Sequence, residues 1–219
     1  MVRIFSGIEA NWTEPRLEPY GPIAISPAAG VLNYGQGVFE GMKARRTPEG
    51  RIILFRPHSN AVRINQGARR LCMPEVPAGA FLKGLGMLVA DNADYVPPAG
   101  EGSLYLRPLL IGTGAILGVQ PAPEYTLLMY ASPVGSYFKG GKRALSLLVR
   151  RDVVRAAMGG VGNVKAIGNY APSILPSRQV KSKGYDEVIY LDSRTGELLE
   201  EMGSANIFLL VGNLSLIHI

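Results

Sequence analysis

Glycine and proline punctuate this chain so densely that no element can run long: 27 glycines and 16 prolines are spread over 219 residues. Glycine loosens regular backbone and proline removes a donor from it, so each marks a break. Between the breaks lie short apolar segments whose periods switch between those of strand and helix. Residues 51–55 (RIILF) read as a strand. Residues 58–73 then carry Ala61, Ile64, Ala68, Leu71 and Cys72 at helical spacing, with Ser59 or Asn60 as N-cap. A second helix is expected over about 78–92, where Phe81, Leu82, Leu85, Leu88 and Val89 share a face. SLYLRPLLIG (103–112) alternates, with Leu104 and Leu106 pointing one way and Tyr105 and Arg107 the other. YTLLMYAS (125–132) reads as a further strand.

The segment SPVGSYFKGGK, with its proline and glycines, is the expected linker. It divides the chain into a small α+β unit over 1–132, a linker over 133–142 and a second domain over 143–219. In that second part ALSLLVR restarts the pattern, followed by a glycine-rich loop, a helix near 171–183 and strands at 186–191 and 206–211. NIFLLVGN reads as a strand and turn whose partner strand is expected next, yet the chain stops after LSLIHI, which reads as a second domain left incomplete.

Composition narrows the function classes. Hydrophobic residues make up 47% and charged residues 18%, enough apolar side chain for a sizeable core. The net charge is +6, but the 23 lysines and arginines are scattered, without the basic run of a nucleic-acid or membrane surface. One cysteine, Cys72, excludes an internal disulfide and suits a reducing compartment. Two histidines argue against a histidine-rich metal centre and against a histidine-based triad, so no metal is expected. No apolar stretch approaches the roughly 18 residues of a membrane span, and MVRIFSGIEANW lacks the apolar core of a secretory signal. An intracellular protein is expected, cytoplasmic unless an upstream transit peptide directs it to plastid or mitochondrion.

Four segments could carry chemistry. In GGVGNVKAIGNYAP (159–172) Lys165 sits among glycines and small apolar residues, five positions before Tyr170. A lysine becomes a nucleophile at neutral pH when desolvation or a neighbouring cation lowers its pKa, and it then condenses with carbonyls. A solvated lysine in a loop gives the same local pattern and is the commoner case. In LLEEMGSANIFLLV (198–211) Glu201 precedes a turn at Gly203-Ser204, where a carboxylate could pair with a protonated ring nitrogen or simply face solvent. NYGQGVFEGMKA (33–44), with Tyr34 and Phe39 between glycines, suits a strand curving against a ligand and equally a plain bulged strand. Arg63, expected in the first turn of its helix, could hold a phosphate or remain a solvated arginine.

Taken in order, NYGQGVFEGMKA, LFRPHSNAVRINQGARRLCMP, SLYLRPLLIGTGAILG, YASPVGSYFKGG, GNVKAIGNYAPS and EEMGSANIF resemble the branched-chain amino acid aminotransferases, of the fold-type IV class of pyridoxal-phosphate enzymes. FEGMKA and YLRP point to the branched-chain subgroup, and APEYTLLMYASPVGSYFKGG has a plant-like flavour. The resemblance implies an α/β (α+β) two-domain architecture with a large C-terminal domain, here C-terminally truncated. It implies pyridoxal 5′-phosphate bound by Lys165 through a Schiff base, with Lys165 also shuttling the substrate proton. By the same resemblance Tyr170 meets the cofactor's phenolic oxygen, Glu201 its pyridine nitrogen and Arg63 its phosphate, while Ser204, which keeps the hydroxyl of the family's frequent threonine, also belongs to the cofactor site. Tyr34, Phe39, Tyr105, Arg107 and Tyr137 would line the substrate pocket, with Arg107 recognising the carboxylate of an acidic partner. The implied reaction passes the amino group of leucine, isoleucine or valine to 2-oxoglutarate, giving branched 2-oxo acids and glutamate, in a homodimer when full length. A D-amino acid aminotransferase, an aminodeoxychorismate lyase and a non-catalytic fragment are the alternatives; the first two would share Lys165 and Glu201.

Overall fold

The computed structural model describes residues 1–7, 11–135, 144–203, 205–212 and 214–216. The chain divides into two compact units, Met1–Lys139 with Val164–Ile167 and Gly140–Asn163 with Gly168–Ile219.

The first unit is a seven-stranded antiparallel sheet with two helices against one face. Its elements are β1 (Val2–Gly7), β2 (Arg16–Leu17), α1 (Gly30–Tyr34), β3 (Gly37–Phe39), β4 (Met42–Arg46), β5 (Ile52–Leu54), α2 (Pro57–Arg70), α3 (Ala78–Asp91), β6 (Ser103–Gly112) and β7 (Glu124–Val134). The strand order is β2-β1-β7-β6-β4-β5, with β3 also paired to β6. The expected alternation of β6 holds: Leu104, Leu106 and Leu110 are buried, while Tyr105 and Arg107 lie half-buried on the other face. Helices α2 and α3 cover the leucine face, with Ala61, Ile64, Ala68, Phe81, Leu85 and Leu88 joining one core.

β3 and β4 share one register against β6, Phe39 opposite Leu109 and Met42 opposite Leu106. They are a single strand interrupted at Glu40–Gly41. The cause is Pro108, which lacks the N–H that would donate across the ladder, while its carbonyl still accepts from Glu40 N at 2.8 Å. The 33–44 segment is therefore only partly the curved strand that its glycines suggest. Tyr34 belongs to the short helix α1, ended by Gly35 in the left-handed region (φ 64°).

Three boundaries differ from the sequence expectation. Helix α2 begins at Pro57 with Arg56 at the N-cap position, so neither Ser59 nor Asn60 caps it; proline's fixed φ suits the first helical position. Arg63 consequently sits in the second turn, not the first. Cys72 falls beyond the helix, exposed and at φ 53°, and contributes nothing to the apolar stripe.

The second unit holds β8 (Leu147–Arg150), α4 (Ile174–Ser182), β9 (Glu187–Leu191), β10 (Leu199–Met202), β11 (Leu209–Val211) and β12 (Leu214–Leu216). β8 and β9 pair in parallel across α4, and β10 pairs antiparallel with β9. Val180, Val188 and Tyr190 form its buried cluster. Strand β10 has no counterpart in the sequence reading. The strand expected at 206–211 does find a partner, since β11 pairs with β12. Most of the expected linker, including Tyr137, lies outside the described residues.

Leu106 is fully buried in the middle of the first unit's sheet, whereas Arg45 is exposed on β4. Leu106→Ala is expected to cost about 2–5 kcal/mol, and Arg45→Ala about 0.5 kcal/mol or less. Urea unfolding followed by the fluorescence of Trp12 measures both, and equal losses would contradict the assigned faces.

Candidate active site

Lys165 lies in the four residues, Val164–Ile167, that join the first unit. Its carbonyl accepts from Phe39 N at 3.1 Å, and Ala166 forms an isolated bridge to Val38, so this stretch is tied to β3 at two adjacent points. The bond between Phe39 and Lys165 fixes the lysine backbone. The side chain then reaches over the Phe39 ring, with Nζ 4.9 Å from the ring centroid. The Arg107 guanidinium lies over the same ring at 4.3 Å. Two cations thus share one aromatic surface, a contact worth about 0.5–2 kcal/mol each depending on desolvation.

Arg107 is held from its own strand. Its Nε and Nη2 donate to the Tyr105 hydroxyl at 3.1 and 2.8 Å, two residues away on the same face of β6. Gly41, on the neighbouring strand, leaves room for that hydroxyl: a Cβ there would collide with the Tyr105 phenol. A cleft of about 620 Å³ opens beside Gly41 and Tyr105, bordered by Lys43, Arg45 and Asn60. A larger cavity, about 700 Å³ near Arg3, Ser26 and Tyr125, holds none of the candidate residues. Tyr34 is held elsewhere, its hydroxyl donating to the Leu117 carbonyl at 2.6 Å.

On the opposite, core-facing side of the same strand stands a residue that the sequence reading does not single out. Glu40 is fully buried, and its carboxylate accepts from Arg63 Nε at 2.5 Å, Arg63 Nη2 at 2.6 Å and Asn60 Nδ2 at 2.8 Å. Asn60, expected as a helix cap, serves this carboxylate instead. The available signal is a charged residue on the inward phase of an otherwise apolar strand, since Val38 and Ala44 share its side.

The second unit carries the remaining candidates. Asn169 Nδ2 donates to the Val161 carbonyl at 2.9 Å and ties down the glycine-rich loop, while Tyr170 is exposed. Glu201 lies within β10, opposite Tyr190 of β9, and the chain bends at Gly203 just after that strand. The register shifts between Leu199 and Glu201, a bulge that lets two consecutive glutamates reach one cation. Arg155 Nη2 stands 3.2 Å from Glu200 and 2.8 Å from Glu201. Burial raises the Glu200 carboxyl above its ordinary value and Arg155 opposes that rise. Arg155 has no signal in the sequence, because nothing near it in the chain marks it as a partner of residues so much farther along. Ser204 lies outside the described residues, as does Tyr137.

The loop joining β9 to β10 is closed by Asp192. Its carboxylate accepts from the Thr195 N–H at 2.7 Å, the Thr195 hydroxyl at 2.7 Å and the Leu198 N–H at 2.9 Å. These bonds, led by the Thr195 N–H, hold its carboxyl well below the ordinary value of 3.8.

The first unit offers an amine and two held guanidiniums, and the second, taken by itself, a pair of carboxylates on one arginine. Among the described residues, no group of three or more His, Cys, Asp or Glu could hold a metal ion, and no helix is long and apolar enough to cross a membrane.

The profile of the amino-transferase class IV family matches residues 37–216. Over 205 residues the chain is 50% identical to branched-chain-amino-acid aminotransferase 5, chloroplastic, of Arabidopsis thaliana, an alignment covering 94% of this chain and 49% of that protein. It is 51% identical to branched-chain-amino-acid aminotransferase 1, mitochondrial, of the same plant, covering 94% and 53%. The chain therefore spans about half the length of the curated relatives it matches. A crystal structure of the branched-chain aminotransferase from the thermophilic archaeon Thermoproteus uzoniensis with norvaline superposes with a TM-score of 0.77 at 23% identity, covering 98% of this chain and 67% of that one. That likeness establishes a shared fold.

Because a folded-state carboxyl held below its unfolded value stabilises above that value, the Asp192 contribution is complete at neutral pH and fades in acid. Asp192→Ala should lower the melting temperature at pH 7, with the gap to wild type narrowing as the pH falls below about 4. Melting curves across pH check this, and a gap independent of pH would contradict it.

Proposed function

We propose that this chain, which belongs to the amino-transferase class IV family, performs the amine-transfer chemistry of a branched-chain amino acid transaminase. Leucine, isoleucine or valine would give up its amino group and leave as a 2-oxo acid, and 2-oxoglutarate would take the group and become glutamate. Pyridoxal 5′-phosphate is the cofactor of this reading: when bound, it supplies an aldehyde that receives the amino group and a ring that delocalises the electron pair left at the substrate Cα. The observation that carries the proposal is Lys165, its backbone bonded to Phe39 and its amine on the ring that also carries Arg107.

Each residue then has a defined task. The Lys165 amine binds the cofactor covalently and moves a proton on and off the substrate Cα. Phe39 and Tyr105 line an apolar and aromatic surface suited to a branched aliphatic side chain. Arg107, steadied by the Tyr105 hydroxyl, offers its fork to a carboxylate of the acidic substrate. Arg63 takes the cofactor's phosphate. Glu201, with Arg155 as its counter-charge, pairs with the ring nitrogen, and Tyr170 with the phenolic oxygen. On resemblance alone, Tyr34 and Tyr137 are assigned to the substrate and Ser204 to the cofactor. A homodimer and a plastid or mitochondrial compartment belong to the same proposal, the latter supported by the compartments named for its plant relatives.

Incubation with pyridoxal 5′-phosphate, borohydride reduction and peptide mapping should place the label on Lys165. Lys165→Ala should abolish that label and lower amino transfer from L-leucine by at least about 10²-fold. Label on a different lysine, or a preference for D-alanine or aminodeoxychorismate over L-leucine, would overturn the reading.

A further inference from the structure

The Glu40 carboxylate is the most completely enclosed charge among the described residues of the first unit. A buried carboxylate costs several kcal/mol unless its oxygens are satisfied, and here every donor but one comes from a neighbouring element. Arg63 contributes Nε and Nη2, Asn60 contributes Nδ2, and Gly41 N approaches at 3.2 Å. Both helical donors lie on α2, three residues apart and therefore on one face. The two Arg63 contacts use one edge of the guanidinium fork. Such a bidentate pair fixes the plane of the fork as well as its position. The Glu40 side is fully buried, while the Arg63 side chain remains 52% exposed.

The placement along β3 is equally specific. Phe39 holds the Lys165 backbone, and the next residue, Glu40, at the break between β3 and β4, holds the Arg63 guanidinium.

We propose that Glu40 is a positioning residue that orients Arg63 to receive the phosphate of the cofactor. This rests on the reading of Lys165 and Arg63 given above. The carboxylate is assigned no contact with substrate or reacting atoms, and it acts by restricting a long side chain with many rotamers to one orientation.

The test compares pyridoxal 5′-phosphate with pyridoxal, which lacks the phosphate, by fluorescence titration of the whole chain. Wild type should bind the phosphorylated form more tightly. Glu40→Gln should weaken pyridoxal 5′-phosphate by about tenfold and change pyridoxal by less than about twofold, with an unaltered circular dichroism spectrum. In an Arg63→Gln background, Glu40→Gln should add nothing further to the loss, because one residue works through the other. If Glu40→Gln does not fold, Asn60→Ala carries the test and should show a smaller loss confined to the phosphorylated form. Equal weakening of both compounds, no weakening of either, additive losses in the double variant, or a wild type without phosphate preference would each overturn the inference. Borohydride label on Lys165 with a phosphate preference indifferent to Glu40 refutes this inference alone. A Glu40-dependent preference without label on Lys165 supports it and refutes the Lys165 assignment.

Discussion

Strand β6 organises the first unit because it is paired along its whole length and its faces have opposite chemistry. β7 occupies one edge from end to end, and β3 and β4 share the other. Leucines on the inner face bury against α2 and α3, which fixes the strand's rotation and leaves Tyr105 and Arg107 pointing outward together. A shift of one residue would exchange the faces, sending the arginine into the core and the leucines into water. The aromatic and cationic surface is thus held in place by apolar packing on the reverse side of the sheet.

Pro108 introduces the irregularity on which the rest of that surface is built. By removing one donor it opens β3–β4 at Glu40–Gly41, at the point where the outer neighbour changes from Val164–Ile167 to β5. Gly41 there leaves space for the Tyr105 hydroxyl, and Glu40 turns inward to α2. The two units treat their acidic groups differently. Glu40 is saturated by hydrogen bonds in a fully buried position, whereas Glu200 and Glu201 share one guanidinium in a half-buried one. Removing either cation leaves carboxylates uncompensated, but the penalty is larger where water cannot enter.

Much of the scaffold is legible because it follows from short-range pattern. The strand at 103–112 and the helix near 78–92 emerge where alternation or a 3.6-residue period predicts them, since a single face of each is buried. Polar caps mislead about the start of α2, because Pro57 alone sets it. Cys72 fits the apolar stripe by spacing although the helix has ended, its position being right and its backbone not. β10 is invisible because a bulge between Leu199 and Glu201 breaks the alternation by which strands are recognised. The ordered blocks identify Lys165, Phe39, Tyr105 and Arg107, and the structure does bring these four together, while Tyr34 bonds elsewhere.

The sequence by itself determined the family, the two-faced strands and the presence of an unusual lysine among glycines, because each is written in neighbouring residues. Only the tertiary structure decided who holds whom. Glu40 and Arg63 are 23 positions apart, Glu201 and Arg155 farther still, and no local period connects them. Their pairing depends on how α2 crosses the sheet and how β10 slips against β9. Those arrangements are set by the packing of whole elements, a sum over many weak contacts that no short stretch of chain contains.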